Sequence, residues 1–367
     1  MRLALYCPVY GYYEKEEDRI GRQGDYYTSV SVGSLFGELL AFQFAQWLEE
    51  WESGAVHIME AGAHDGRLAR DILTWMRKHR PDLFRRLEYW IVEPSNIRQK
   101  WQQRTLGDFT TQARWATDLG KLSPIPHSAL RIPHSRRVRG VIFANELLDA
   151  LPVQRLGWNA KTRTWFEWGV AFSEGEFVWT KLSEGRRPKS EGRNPKAEGR
   201  NQKWEQPGIT GLPAALLDVL PDDFTVELCP AGEEWWRQAS STLERGKLLT
   251  IDYGLEAEEF FAPDRKEGTL RAYHRHQLTP NVLANPGEQD ITAHVNFTAL
   301  QAAGTSAGLK TDTFATQAQF LTAIAAQIWK DETLHDKWSS ECVRQFQTLT
   351  HPEHLGRAFK VLLQSLP

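Results

Sequence analysis

The sequence predicts an α/β fold with a doubly wound, mostly parallel sheet, a β-rich insertion after its fourth strand, and additional helices. Three observations support this prediction. Apolar runs typical of buried strands alternate with amphipathic helical patterns along much of the chain. A glycine-bounded turn at residues 62–66 connects the first such run to a helical pattern. Polar side chains follow three of the runs, and parallel strands commonly end at a ligand-binding edge.

The first half of the chain contains the clearest elements of this pattern. Residues 34–51 predict a helix with one apolar face, and residues 67–78 predict a second. The predicted strands, each an apolar run, are residues 56–60, 89–93 and 140–144. Ser95 is the expected N-cap of a helix that follows the second strand. Such alternation predicts parallel strands joined by right-handed crossovers.

Residues 153–182 break this alternation. They contain aromatic, β-rich segments separated by turn residues, which predicts an antiparallel hairpin or a small sheet. The heptapeptides SEGRRPK, SEGRNPK and AEGRNQK then fill residues 183–203. They have no apolar residue for a coiled-coil seam, and seven Lys or Arg against three Glu give a charge of +4. We therefore predict a disordered, solvated loop here.

The α/β pattern returns after this block. It resumes with FTVELCP, followed by a helix at residues 232–243 and a strand at residues 247–253. The C-terminal third is predicted to be helical until a last strand at residues 359–363. The resulting division of the chain is a preceding segment of residues 1–55, a core of residues 56–150 and 224–367, and an insertion of residues 151–223.

The composition excludes several classes of function. The 367 residues carry a net charge of −3, so the charge balance does not favour a nucleic acid or an anionic membrane as partner. Three separated cysteines fit neither a disulfide framework nor a metal site, and indicate a reducing compartment. His274, His276 and His294 lack zinc-site spacing, so no metal is expected. With no apolar run of about 18 residues and no cleavable signal pattern, we expect a cytoplasmic protein without a membrane span.

Glu60 is the most informative residue at the first strand end. Its carboxylate comes two residues before Gly62, where a dinucleotide site more often has an apolar residue. A carboxylate there suits a cationic, adenosine-bearing cofactor, which indicates S-adenosylmethionine (SAM). The turn from Gly62 to Gly66 also has two glycines where the dinucleotide fingerprint has three. A dinucleotide-dependent oxidoreductase is therefore the less favoured interpretation.

Two other strand ends carry polar groups. Glu93 ends the second strand, 27 residues after Gly66, and can accept hydrogen bonds from both ribose hydroxyls of such a cofactor. Its alternative role is that of a neighbour to the N-cap of the next helix. Asn145, Glu146 and Asp149 follow the fourth strand, where a polar cluster is costly unless it faces a cavity or hydrogen-bonding partners. Surface exposure is the alternative for this cluster.

Eight segments of the chain form an ordered set of motifs. They are GRQGDYYTS, LFGELLA, MEAGAHDGRLARDIL, NELLDALPV, ELCPAGEEW, LLTIDYG, GTLRAYHRH and NPGEQDITAHVNF. Together they resemble the MidA-like SAM-dependent methyltransferases, the bacterial relatives of the mitochondrial complex I assembly-factor methyltransferase. The resemblance extends over about residues 3–359 and is most specific in GDYYT, NELLDALP and GEQDITAHV.

This resemblance implies a class I, Rossmann-like methyltransferase fold with SAM as methyl donor. For the mitochondrial relative it implies methylation of an arginine in a respiratory-complex subunit, and hence a protein substrate. It also implies that residues 1–55 cover the cofactor and that the core binds SAM. The implied cofactor-binding residues are Gly24, Asp25, Thr28, Glu60, Gly62, Glu93 and Asn145. Those implied at the methyl-transfer centre are Asn145, Glu146 and Asp149, and those of a C-terminal loop near the same opening are Gln289, Asp290 and His294.

An arginine acceptor gives the acidic residues after the fourth strand a chemical role. A guanidinium stays protonated in water, so a bidentate carboxylate can localise its charge and accept a proton as the new bond forms. Glu146 and Asp149 are the candidates, since their spacing puts them on one face if a helical turn begins there. The competing hypothesis is a methyltransferase-fold assembly factor, weakly active or inactive, that binds a respiratory-complex subunit.

One position departs from the family pattern. The family often has E-x-G-x-G-x-G, and His64 stands in the place of the middle glycine. Its side chain must point away from the methionine end of SAM, or it narrows that pocket. We therefore predict that His64 influences the affinity for the cofactor.

Overall fold

The computed structural model describes residues 1–15, 28–51, 54–119, 138–182, 214–274, 277–330 and 338–367. The predictions for Gly24, Asp25 and the repeat at residues 183–203 lie outside these ranges. The strands, in chain order, are β1 (Val56–Ala61), β2 (Leu87–Val92), β3 (Ala113–Ala116), β4 (Val138–Asn145), β5 (Gln154–Asn159), β6 (Thr164–Ser173), β7 (Glu176–Lys181), β8 (Thr225–Leu228), β9 (Leu243–Leu255), β10 (Arg271–His274), β11 (Gln277–Thr279), β12 (Asp290–Thr292), β13 (Val295–Asn296), β14 (Lys310–Thr316) and β15 (Phe359–Leu366).

Helices separate most of these strands. In chain order they are α1 (Arg2–Tyr6), α2 (Ser29–Val32), α3 (Leu35–Glu49), α4 (Arg67–His79), α5 (Pro81–Arg86), α6 (Asn96–Leu106), α7 (Ala214–Val219), α8 (Pro230–Thr242), α9 (Ala257–Phe260), α10 (Phe297–Ser306), α11 (Gln317–Ile328), α12 (Ser340–Thr350) and α13 (Leu355–Ala358). Ser95 caps α6 by accepting a hydrogen bond from the Arg98 N–H, as the sequence predicts. Within the described ranges, no helix combines the length and apolar character that a membrane crossing requires.

The central sheet is doubly wound and mostly parallel, which confirms the predicted fold class. Its strand order is β14-β15-β9-β4-β1-β2-β3, and the short β13 pairs alongside β9. β1 is parallel to both β2 and β4, and β4 is parallel to β9. β15 runs antiparallel to both of its neighbours. Because the strand order reverses between β1 and β4, a crevice forms beyond the carboxyl ends of these two strands.

Helices cover both faces of the central sheet. On one face, Leu39 of α3 and Ile72 of α4 belong to the same buried cluster as Ile58 of β1. On the other face, Trp236 of α8 is clustered with Met59 of β1. Adjacent strand residues point to opposite faces, so β1 is buried on both sides. This explains why the strand is a nearly continuous apolar run rather than an alternating one.

The insertion forms a separate antiparallel sheet of order β7-β6-β5-β8. The prediction that FTVELCP returns to the central sheet is wrong, because its strand β8 pairs with β5 of the insertion. All four residues of β8 are buried. A short buried strand has the same apolar pattern in either sheet, so the local sequence does not specify its partner.

The C-terminal third contains more strands than predicted. β10 pairs with β11 and β12 in a three-stranded antiparallel sheet, and β14 extends the central sheet beside β15. The prediction of an all-helical segment before the last strand is therefore wrong, whereas the last strand itself is present as β15. β14, with the sequence KTDTFAT, is the edge strand of the central sheet. Edge strands commonly carry polar side chains, so the composition of this segment does not indicate a strand.

Candidate functional site

A crevice opens beyond β1 and β4, at the point where the strand order reverses. Ala61 of β1 pairs with Ala144 of β4, so the segments after the two strands begin side by side. The turn at residues 62–66 thereby lies next to Asn145 and Glu146. Two cavities lie here: the first cavity has a volume of about 100 Å³, and the second cavity has a volume of about 300 Å³.

The first cavity is enclosed by the amino-terminal segment, the loop after β1, helix α6 and the turn after β4. Its lining residues, in that order, are Tyr6, Tyr13, Thr28, Val30 and Ser31, then Glu60, Gly62, Ala63, His64, Asp65, Arg67 and Leu68, then Arg98, and finally Asn145, Glu146, Leu147 and Ala150. Four residues predicted to bind the cofactor, Thr28, Glu60, Gly62 and Asn145, thus share one cavity.

The second cavity adjoins the first. Its lining residues are Tyr13, Glu146, Asp149, Tyr253, Arg271, Tyr273, Asp290, Thr292, Ala293, His294 and Ala358. Tyr13 and Glu146 line both cavities, so they form the boundary between the two spaces. The structure brings Asp149, Asp290 and His294 together here, as predicted for a common opening.

The loop after β1 depends on three left-handed backbone conformations. Gly62, His64 and Gly66 have φ angles of 71°, 45° and 85°. A Cβ at Gly62 would lie 2.8 Å from Leu147 Cδ1, so only glycine fits without movement. His64 adopts the same left-handed region with a side chain, which carries a conformational cost. His64 is among the residues that line the first cavity.

Glu60 is a buried acid at the end of β1. It is 2% exposed, and the Tyr89 hydroxyl donates a hydrogen bond of 2.6 Å to Glu60 Oε2. Burial raises the pKa of Glu60 to about 8, although the Tyr89 hydrogen bond opposes this shift. A nearby positive charge would offset the cost of ionising Glu60, which is consistent with its predicted role beside a cationic cofactor.

Glu93 lies outside the set of residues that line the two cavities. Its Oε1 accepts a 2.9 Å hydrogen bond from the Ser95 N–H, and its Oε2 accepts a 3.2 Å bond from Gln102 Nε2. Burial raises the pKa of its carboxyl. These contacts support the alternative role considered from the sequence, in which Glu93 is a neighbour of the helix N-cap. Ribose binding by Glu93 stays a prediction.

We expect Glu93→Ala to weaken SAM binding if Glu93 accepts hydrogen bonds from the ribose hydroxyls. Loss of hydrogen bonds to a charged acceptor typically weakens binding by about 10-fold or more. Isothermal titration with SAM measures this change. Glu88→Ala removes a part-exposed carboxylate from the same strand and serves as the control. Equal SAM affinities in the two variants would rule out the ribose role.

The turn after β4 presents Asn145 and Glu146 to the first cavity. Glu146 has a left-handed φ of 51°. Its Oε1 accepts hydrogen bonds from the Ser29 N–H at 3.0 Å and from Asn145 Nδ2 at 3.2 Å. Burial, together with the charge of the nearby Asp252, raises the pKa of Glu146 to about 8. The Asn145 Oδ1 is buried and accepts no hydrogen bond from the residues that the structure describes, so it is available to a ligand N–H or O–H group.

Asp252 of β9 holds this turn in place. It is fully buried, and its Oδ2 accepts hydrogen bonds from the N–H groups of Leu147, Leu148 and Asp149 at 3.2, 2.8 and 3.4 Å. Sequence reasoning did not select Asp252 as a site residue. The signal was present, since Asp252 follows the apolar run LLTI just as Asn145 follows its own strand.

The second cavity contains more acidic than basic groups. Burial raises the pKa of Asp149, and the charges of Asp252 and Asp290 raise it further. On the opposite side, burial lowers the pKa of His294 to about 4, so His294 is neutral at pH 7. Among the residues that the structure describes, Arg271 is the one strong base that lines this cavity. An added cation would therefore find a favourable environment here.

The amino-terminal segment closes over the C-terminal loop. The Tyr13 hydroxyl donates a 2.6 Å hydrogen bond to Asp290 Oδ1, and the Tyr6 hydroxyl donates a 2.9 Å bond to the Ala150 carbonyl. Gln289 supports the same loop from beneath, since its Nε2 donates a 2.9 Å bond to the Val282 carbonyl. Gln289 is not among the residues that line the second cavity, and its predicted role in the loop near the opening stays a prediction.

The part of the chain that the structure describes contains no cluster of side chains suited to bind a metal ion. No group of three or more His, Cys, Asp or Glu side chains is arranged there to hold an ion.

The chain matches one protein-family model and is similar to two mitochondrial proteins. Residues 39–315 match the model of the Methyltransf_28 family, described as S-adenosyl-L-methionine-dependent methyltransferases. The chain is 26% identical to the mitochondrial protein arginine methyltransferase NDUFAF7 of Rattus norvegicus, over 98% of this chain and 78% of that protein. It is 27% identical to the Drosophila melanogaster homologue, over 99% and 79%.

A solved structure shares the whole fold. It is a crystal structure from Burkholderia thailandensis with S-adenosyl-homocysteine bound. The two chains are 29% identical with a TM-score of 0.76, and the match covers 100% of this chain and 86% of the other. A protein that binds the demethylated form of SAM thus has a fold similar to that of this chain.

Proposed function

Because this chain belongs to the Methyltransf_28 family of SAM-dependent methyltransferases, we propose that it methylates the guanidinium of an arginine in a protein substrate. One observation carries this proposal beyond the family level: Glu146 lies on the boundary between the first cavity and an acidic second cavity. The first cavity is assigned to SAM and the second to the acceptor. The arginine specificity is supported by the names of the relatives, which are protein arginine methyltransferases.

The residues of the first cavity fit SAM as the methyl donor. Gly62 permits close approach of a ligand to the backbone, because a side chain there would collide with Leu147. Asn145 Oδ1 is a buried acceptor without a partner in the structure and suits the amino group or a hydroxyl of SAM. Glu60 supplies a carboxylate at the buried end of the cavity. When bound, SAM supplies a methyl group on a positively charged sulfur.

The residues of the second cavity fit a guanidinium. Glu146 and Asp149 can each accept N–H groups of the planar cation, and their charges favour its entry. Two carboxylates that hold the guanidinium also fix the orientation of its nitrogen toward the first cavity. Glu146, at the boundary, is the group positioned to accept the proton that the nitrogen loses. The enclosing tyrosines limit access of water to this space.

We expect kcat/KM for methyl transfer to rise with pH and to level off above about pH 8. Glu146 must be ionised to hold the cation and accept a proton, and its pKa in the free protein is about 8. Initial rates between pH 6 and pH 9.5, with SAM and acceptor both well below saturation, measure this dependence for the free protein. Glu146→Gln should abolish the rise. A flat profile in the parent protein across this interval would contradict the assignment.

The acceptor is proposed to be a folded or assembling protein subunit. The mitochondrial relatives are arginine methyltransferases by name, and a respiratory-complex subunit is the acceptor class implied by the sequence resemblance. A cytoplasmic location remains part of the proposal. β10 contributes Arg271 and Tyr273 to the second cavity, so the surface around β10 is the one on which such a protein would lie.

Incubation with methyl-labelled SAM and a cell extract, followed by mass spectrometry, tests the proposed function. We expect label on arginine of one or a few proteins. Label on another residue type would replace arginine as the acceptor. If no label is transferred while SAM binds normally, the chain is an assembly or binding protein on a methyltransferase scaffold. Glu146→Gln is the matched control, because it should bind SAM without transferring label.

A further inference from the structure

The second cavity is aromatic as well as acidic. Tyr13, Tyr253 and Tyr273 line it, and they come from the amino-terminal segment, β9 and β10. None of these rings is required by the methyl-transfer step itself. Three rings and three carboxylates around one space form the arrangement in which proteins hold organic cations, since a ring face attracts positive charge.

Tyr253 and Tyr273 are held in place by their neighbours. The Tyr253 ring packs on Phe359 with centroids 3.9 Å apart, which fixes its plane. Tyr273 lies on β10, where it pairs with Asp290 of β12. Burial raises the pKa of both tyrosine hydroxyls, so the rings stay neutral over the working range of pH. Each ring can thus present a face or edge to a ligand without adding charge.

Arg271 offsets part of the negative charge of this cavity. It is exposed at the edge of β10, and its Nη1 donates hydrogen bonds to the carbonyls of Leu270 at 2.9 Å and Gly268 at 3.4 Å. These bonds tie its guanidinium to the backbone of its own turn. The described residues that line the cavity include three carboxylates for this one strong base, namely Glu146, Asp149 and Asp290.

We propose that Tyr253 and Tyr273 are specificity-determining residues that stack on the acceptor guanidinium, while the carboxylates hold its edges. This inference rests on the proposed function and narrows its substrate class. A guanidinium is a flat cation with N–H groups around its edge, so it uses ring faces and carboxylates together. An ammonium group is compact and strongly hydrated, and gains less from the rings. The site therefore selects arginine, and its monomethylated product, over lysine.

The test measures binding of small probes to the protein loaded with S-adenosyl-homocysteine. The probes are Nα-acetyl-arginine-N-methylamide, its NG-monomethyl form, and the corresponding lysine compound, followed by calorimetry or ligand-detected NMR. Tyr253→Leu and Tyr273→Leu remove each ring and keep apolar bulk. Tyr253→Phe and Tyr273→Phe keep the rings and serve as controls for folding and packing.

We expect the parent protein to bind both arginine probes more tightly than the lysine probe. Each Leu variant should lose about 3- to 30-fold in affinity for the arginine probes, the range typical of a partly desolvated cation–π contact. The Phe variants should stay within about twofold of the parent, and the affinity for the lysine probe should change little in any variant. Equal losses for arginine and lysine probes, or unchanged arginine affinity in both Leu variants, would overturn the proposal.

The proposed function can fail separately from this inference. If the arginine probes bind as expected but no protein arginine is labelled from SAM, the tyrosine site stands and methyl transfer to arginine does not. If both Leu variants label protein arginine at the rate of the parent and with its preference for arginine, methyl transfer to arginine is supported. The proposed role of the two tyrosines in specificity is then refuted.

Discussion

Glu146→Gln is expected to slow methyl transfer by about 10²- to 10⁴-fold and to leave SAM affinity within about twofold of the parent. The substitution keeps an oxygen that can accept from Ser29 N–H and Asn145 Nδ2, so the turn after β4 retains its shape. It removes the negative charge that holds the guanidinium and the base that accepts its proton. Single-turnover rates of methyl transfer from labelled SAM to the acceptor protein measure the loss.

A matched substitution separates this effect from a general loss of charge. Glu88→Gln removes a carboxylate with 46% of its side chain exposed on β2, and should transfer methyl groups at the parental rate. Glu146→Gln and Glu88→Gln should bind SAM equally well. Parental transfer rates in Glu146→Gln would eliminate Glu146 as the base and as part of the clamp.

The same variant should be more stable than the parent at high pH. The pKa of Glu146 is raised from the ordinary value of 4.5 to about 8 on folding. For an acid with a raised pKa, the folded state binds the proton more tightly, so stability decreases as the pH rises from about 4.5 through 8. Gln removes this loss. Thermal unfolding without ligand should give a higher Tm for Glu146→Gln than for the parent at pH 9, and a smaller difference at pH 5.

Gly62→Ala is expected to reduce SAM affinity by at least about 10-fold. The new Cβ would lie 2.8 Å from Leu147 Cδ1, at a residue whose φ of 71° is unfavourable for any side chain. Leu147 lines the first cavity and follows Glu146, so its displacement changes both the cavity and the boundary to the second cavity. Titration calorimetry with SAM measures the affinity, and thermal unfolding measures the accompanying loss of stability.

Gly308→Ala controls for the backbone effect. Gly308 has a φ of 90°, and a Cβ there would meet no atom within 4 Å. Both alanine variants should lose roughly 1–2 kcal/mol of stability from the left-handed backbone. Only Gly62→Ala should lose SAM affinity. If both variants bind SAM as the parent does, the turn at residues 62–66 does not contact the cofactor.

The sequence predicts the site best where a single strand end determines it. Glu60, Gly62 and Asn145 follow apolar runs, and the parallel pairing of β1 with β4 brings them into one cavity. The position of each residue after its strand is enough to predict this grouping, because the carboxyl ends of parallel strands lie at the same edge of the sheet. Glu93 is the exception. It follows the same rule, yet its carboxylate is directed at Ser95 and Gln102 rather than into either cavity.

The rest of the site depends on contacts between distant segments. Tyr13 reaches Asp290, and Asp252 binds three N–H groups of the turn after β4. The local sequence does not specify the partner of either side chain, although Asp252 itself follows an apolar run. The same limitation explains the strands that were missed or misplaced. β14 is polar at a sheet edge, and β8 pairs with the insertion because of tertiary packing rather than its own propensity.

A crystal structure with S-adenosyl-homocysteine and an arginine-containing acceptor peptide would show whether the two cavities hold the donor and the acceptor. We expect the cofactor to occupy the first cavity with its sulfur facing Glu146. The guanidinium should lie in the second cavity with one nitrogen within methyl-transfer reach of that sulfur, on the order of 4–5 Å without the methyl group between them. A cofactor sulfur directed away from Glu146, or an acceptor bound outside the second cavity, would contradict it.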